Sequence, residues 1–90
     1  MMIDELNKIK LNKIFNHFGY DNQLKKLNEE FFEVTEALVL KDRAKFVEEI
    51  SDVLVVALQF KQYYKVKDDE IINAAIPKIN RTTDIIDEVV

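Results

Sequence analysis

Two pairs of acids in this chain have the spacing and the surroundings to do chemistry. Glu30 and Glu33 stand three residues apart in LNEEFFEVTEAL, and Glu49 and Asp52 repeat that interval in EEISDVLVVALQF. Three residues is close to one helical turn, so each pair would project from one flank of a helix. Carboxylates so placed can move protons, hold ammonium or guanidinium groups, or ligate hard cations. Their neighbours sharpen the choice. At about 100° per residue, Val53, Val56 and Phe60 share one face, with Glu49 between Val56 and Phe60 and Asp52 at the border beside Tyr63. Ile50, Leu54, Val47, Leu58 and Val55 cover most of the remaining circumference, and a helix apolar nearly all round is a buried one. An ionised carboxylate without a partner in such a place costs several kcal/mol.

Three outcomes are open to these acids: pairing with Lys or Arg, protonation, or a shared cation. If their two helices are antiparallel neighbours, Glu30 and Glu33 meet Glu49 and Asp52 across the interface. One lysine would not neutralise four converging charges, and oxygen donors in that number suit Mg²⁺ or Mn²⁺. Either pair alone reads as a solvated or lysine-paired face; two pairs on adjacent helices move the balance towards a metal site.

The elements that must position them follow from apolar periodicity. A first helix is predicted from about Ile3 to Phe18, with Leu6, Ile9, Ile14 and Phe18 inward and Gly19 as a left-handed C-terminal cap. Asp21 is the expected cap of a second helix reaching about Leu40, with Leu24, Leu27, Phe31, Val34 and Leu38 as its core stripe. Asp42 would cap a third helix running to about Tyr64. KVKDDE then opens a fourth, its acids favourable to the helix dipole, with Ile72, Ile76, Ile79, Thr83 and Ile86 recurring along it. Pro77 predicts a kink or break near Ala75–Ile76, and the closing DEVV is expected to fray.

The whole chain fits this all-α reading. Its 90 residues bound it to one small domain, and one Gly and one Pro leave few turns for an all-β fold. An apolar share of 48% with 33% charged residues indicates a folded chain. The absence of cysteine excludes disulfides and thiolate metal sites. A net charge of −4 disfavours a nucleic-acid binder. MMIDELNKIK does not read as a signal peptide and VLVVAL is too short to span a bilayer, so no membrane association and a cytoplasmic location are expected.

At the acids the sequence resembles a known family. EEFFE (29–33) followed by EISD (49–52) resembles the EExxE…ExxD signature of the all-α nucleoside triphosphate pyrophosphohydrolases, which include MazG proteins, dimeric dUTPases, dCTP pyrophosphatases and phosphoribosyl-ATP pyrophosphohydrolases. FGYDNQLKKLNEE and EEISDVLVVAL extend the resemblance over roughly residues 15–60. It implies a single MazG-like domain over residues 1–90, a four-helix bundle completed by oligomerisation. It also implies Mg²⁺, with Mn²⁺ as a substitute, held by Glu30, Glu33, Glu49 and Asp52, and Glu29 in an outer place. The activity implied is hydrolysis of (deoxy)nucleoside triphosphates to a nucleoside monophosphate and pyrophosphate, for nucleotide pool control or house-cleaning. Glu33 is then the candidate to accept the attacking water's proton.

Phosphate also calls for side-chain cations. Lys78 and Arg81 in PKINR lie on the side of the fourth helix away from its isoleucines, and Lys26 lies near Glu30 and Glu33 in angle. All three are candidate substrate contacts, the alternative being a solvated basic edge or, for Lys26, an ion pair. Gln23 is a further polar candidate on the same flank, and Asn80 a buried polar contact. Phe15, Phe18 and Tyr20 read chiefly as core, with base stacking as the alternative, and His17 as a cation at a helix C-terminus. Phe32 and Tyr63 are expected at a subunit contact or, for Tyr63, near a ligand.

The third helix has more apolar circumference than one small bundle can cover, which predicts a homodimer or homotetramer. Two other functions compete with the first. Phosphoribosyl-ATP pyrophosphohydrolase is disfavoured by Asn28, where those enzymes commonly have glycine. A non-catalytic helical assembly module would instead tie its acids to Lys25, Lys26, Lys45 or Arg43.

Overall fold

The computed structural model describes residues 3–89, and the expected fraying of DEVV falls partly on Val90, outside that range. Four helices follow one another: α1 (Glu5–Phe18), α2 (Tyr20–Val39), α3 (Arg43–Tyr63) and α4 (Asp68–Val89). The chain is all-α, as its periodicity predicts.

The helix ends show how so few glycines suffice. Asp4 caps α1 by accepting from the Asn7 N–H at 2.8 Å, and Asp42 caps α3 through the Lys45 N–H at 3.1 Å. Gly19 alone separates α1 from α2, at φ 88° and ψ 162°. That φ favours glycine, but the ψ is extended rather than left-handed helical, so the cap differs from the one expected. Asp21 lies inside the first turn of α2, where it faces the dipole without capping. After α2 and α3 the left-handed position falls to Lys41 (φ 53°) and Lys65 (φ 55°). In each case the next N–H closes a six-residue loop, Asp42 to the Ala37 carbonyl and Val66 to the Lys61 carbonyl. Those bonds satisfy helix-end carbonyls and offset the unfavourable backbone.

α2 and α3 are antiparallel neighbours. Their contacts pair off in reverse order: Glu36 with Lys45, Glu30 beside Asp52, Gln23 with Gln59, Tyr20 with Tyr64. α1 packs on both, and Gln62 ties α3 to the Lys8 carbonyl and Asn12. The core holds Leu11, Phe15, Val34, Ala37, Val53 and Val56. Around Phe15, the rings of Tyr20, Phe60 and Tyr63 stack edge-on or tilted, at centroid distances of 5.2–6.2 Å. Phe15 thus serves the core, while Tyr20 lies exposed at its edge and shares a hydroxyl hydrogen bond of 2.7 Å with Tyr64.

On α3, Val53 and Val56 are buried as predicted and Phe60 is half-buried, although Val47 and Val55 are exposed and the helix is not buried all round. The faces of α1 and α2 differ from the prediction. In α1 the buried residues are Leu11 and Phe15, while Leu6, Ile9, Ile14 and Phe18 remain exposed. In α2 the inward positions are Gln23, Glu30, Val34 and Ala37, whereas Leu24, Phe31 and Leu38 stay outside. Ala37 is 0% exposed on the inward face, and the two polar residues inside find partners, Gln23 in Gln59 of α3 and Glu30 in Lys26 of its own helix. Three of the five residues of the apolar stripe are consequently left on a second face.

α4 is not packed against the other three helices, and the Lys61–Asp68 ion pair at 3.0 Å marks its start. Its six isoleucines are all exposed. Pro77 does not break it: the helix is continuous from Asp68 to Val89. The Asn73 carbonyl that Pro77 leaves without an intrahelical donor is on an exposed turn, where water can serve it.

Candidate metal centre

Glu30 projects from the inward face of α2 because α2 turns its polar–small line, rather than its leucine stripe, towards α3. Glu49 and Asp52 come from consecutive turns of the first half of α3. One carboxylate oxygen from each of the three lies within 4.8 Å of the others. Glu30 is buried, Glu49 half-buried and Asp52 exposed, so the trio runs from the helix interface out to solvent. Asp52 and Glu30 border a cleft of about 710 Å³ between α1, α2 and α3, with Gln23 and Gln59 on its floor and Phe18 on its wall.

The electrostatics are those of a cluster short of positive charge. Burial pushes the Glu49 carboxyl above the usual carboxylate range, and Asp52, Glu33, Glu48 and Glu30 push it the same way. Lys26 is the one cation bonded to the trio among the described residues, its Nζ 2.9 Å from Glu30. That bond first, then the charges of Glu30, Glu29 and Asp52, hold the Lys26 ammonium on more firmly than usual. Lys45 pairs with Glu36 at 3.1 Å instead. Among the described residues, no lysine or arginine forms an ion pair with Glu49 or Asp52. The assembly reading needed several such pairs, and the structure supplies one.

Three of the four predicted acids therefore meet. Glu33 does not join the trio. It sits half-buried on the same flank of α2, near enough to raise Glu49 but outside the group whose oxygens lie within 4.8 Å of one another. Glu29 borders the cleft from the outside. Lys78 and Arg81 are exposed on α4 and are not brought to the acids of their own chain, because α4 does not pack on α1–α3. Asn80, expected to be buried, is exposed for the same reason.

One polar residue was not anticipated. Gln59, 2% exposed, accepts from Gln23 Nε2 at 2.8 Å and donates to the Val55 carbonyl at 3.2 Å. Its signal was present: it follows Asp52 by seven residues and Val56 by three, on the buried face of an otherwise apolar run. Buried amides need partners, and this pair answers itself across the interface.

An antiparallel helical body carrying oxygen-only donors at one interface defines a class, that of all-α proteins able to hold a hard divalent cation. The family follows from comparison with known sequences. The MazG nucleotide pyrophosphohydrolase domain matches residues 18–84, and the chain belongs to that family. No curated protein matches the chain. No solved structure matches it either. The family's enzymes act on nucleotides and typically use a divalent metal, and the donor set of the trio is chemically suited to one. No helix among the described residues is long and apolar enough to cross a membrane.

Proposed function

We propose that the chain hydrolyses (deoxy)nucleoside triphosphates between the α- and β-phosphates, giving a nucleoside monophosphate and pyrophosphate, with Mg²⁺ as cofactor, in the cytoplasm. The convergence of Glu30, Glu49 and Asp52 on one point, with one lysine among them, carries this reading. These three residues would hold Mg²⁺, and Mn²⁺ would fit the same donors. When bound, the ion supplies charge neutralisation for the anionic substrate and acidifies a water. In this reading Glu33, the acid outside the trio, would accept that water's proton at its carboxylate, supported by its nearness to Glu49. Lys26 offers an ammonium to phosphate oxygens, and Phe18, exposed on the cleft wall, offers a face for a base.

The reading also requires a second copy of the chain. The isoleucine face of α4 and the Leu24, Phe31 and Leu38 face of α2 are both uncovered, as is Phe32 at 70% exposure. Homo-oligomerisation would bury them, and α4 of one protomer would bring Lys78 and Arg81 to the cleft of its partner. A homodimer is the smallest assembly that does so, and a homotetramer would too.

The test is a panel of nucleoside triphosphates with Mg²⁺, reading pyrophosphate against orthophosphate. Pyrophosphate release is expected; orthophosphate as the primary product rejects the cleavage site. In Glu49→Gln, turnover should fall at least about 100-fold, the upper cost of losing a mere outer-shell partner. The same variant should melt higher than wild type in EDTA, because it removes a charge its neighbours oppose.

A further inference from the structure

Lys26 occupies a position that a cation site does not need for its fold. Its Nζ lies 2.9 Å from Oε1 of Glu30, with the lysine side chain 52% exposed and that of the glutamate 8%. The same carboxylate is the α2 member of the trio with Glu49 and Asp52. A lysine N-terminal to a glutamate at i, i+4 is the weaker order on an isolated helix, so helix preference does not account for the bridge. The burial of Glu30 between α2 and α3 does, since a carboxylate removed from water requires a cation. One ammonium bonded to one of three converging carboxylates leaves the other two without an ion pair among the described residues.

On the metal-site reading above, we infer that Lys26 is a built-in counter-ion that competes with a divalent cation for Glu30 and leaves that carboxylate when the cation is held. An ammonium and a dication on one buried carboxylate would repel strongly at a few ångströms. The lysine can yield without refolding, because its flexible four-carbon stem ends in solvent. Its stem also borders the cleft, so the released ammonium stays beside the site, where a ligand's anionic group would receive it. Two consequences follow. Without metal, Glu30 is kept neutralised and the helix interface intact. With metal, affinity is lower than the trio alone would provide, and the cation's arrival is coupled to a free lysine in the cleft.

The experiment is a calorimetric titration of the full chain with Mg²⁺ alone, no nucleotide present, for wild type, Lys26→Met, Lys26→Arg and Glu30→Gln. Methionine keeps the apolar stem and removes the charge, so its Kd should fall about two- to fivefold, the range set by a partly exposed ion pair. Arginine keeps the charge and should bind as wild type does. Melting in EDTA, read alongside, should show Lys26→Met below wild type and regaining the difference on adding Mg²⁺; Lys26→Gln repeats the measurement if the methionine variant aggregates. Unchanged or weaker Mg²⁺ binding in Lys26→Met, with binding abolished in Glu30→Gln, overturns the counter-ion role and leaves the metal site standing. Wild-type protein that binds no Mg²⁺, or Glu30→Gln that binds it as wild type does, overturns the metal site and this inference with it.

Discussion

The body formed by α1–α3 and the helix α4 are built with comparable proportions of apolar residue and reach opposite ends. In the body, aromatic rings, a buried amide pair and Ala37 bring three helices into contact, and the acids are held at a defined interface. In α4 the isoleucine stripe is as regular as any in the chain, yet it packs against none of the other three helices. Periodicity qualifies a face for burial; it does not supply the surface that buries it. Helical stability in proteins comes mainly from the packed face, so α4 in isolation is the weaker element.

The contrast is broken most sharply by large-to-small substitution. Phe15→Ala removes the ring at the centre of the aromatic cluster and should cost about 3–5 kcal/mol in urea unfolding, enough to threaten a small domain. Ile76→Asp with Ile79→Asp on α4 should leave the unfolding of a dilute monomer nearly unchanged and instead abolish self-association in sedimentation. If the double variant destabilises the monomer as much as Phe15→Ala does, α4 packs on its own body and the contrast is lost. A smaller effect is expected inside the interface. Gln59→Leu leaves Gln23 without its buried acceptor, a loss of about 1–3 kcal/mol, part of which should return in the Gln23→Leu, Gln59→Leu double variant. Equal losses in both would mean the amide pair contributes shape rather than hydrogen bonding.

The smallest effect lies where the two regions meet. The Lys61 ammonium holds the Asp68 carboxyl below its usual value of 3.8. A depressed folded-state value means that the unfolded chain binds the proton more readily as the solution is acidified. The contribution is therefore complete at neutral pH and is lost as pH falls below 3.8 towards the folded-state value. Melting temperatures of wild type and Asp68→Asn, compared across that range, should converge at the acid end. A difference that persists there would assign the effect to packing rather than charge.

Much of this was legible in the residues themselves. The four helices and the Asp42 cap, and the chemical class of the site, follow from spacing and residue type, because these are local properties of the chain. The rotation of α1 and α2 was not legible. Both helices carry apolar residues on two faces, and hydrophobicity alone ranks Leu24 and Phe31 above Gln23 and Glu30. Gln23 goes inside because Gln59, 36 residues away, answers it across the interface, and buried Glu30 is met by Lys26 on its own helix while facing the like charge of Asp52.

By itself, then, the order of residues determined which segments coil and which side chains are able to ligate a hard cation, since both depend on neighbours within a turn or two. Only the tertiary arrangement decided that Glu30, Glu49 and Asp52 share a point, that Glu33 stands beside it, and that Lys26 holds the buried member. The burial of Ala37 and the Gln23–Gln59 hydrogen bond mark the face of α2 that meets α3, and turning α2 by one residue would carry Glu30 away from Glu49 and Asp52.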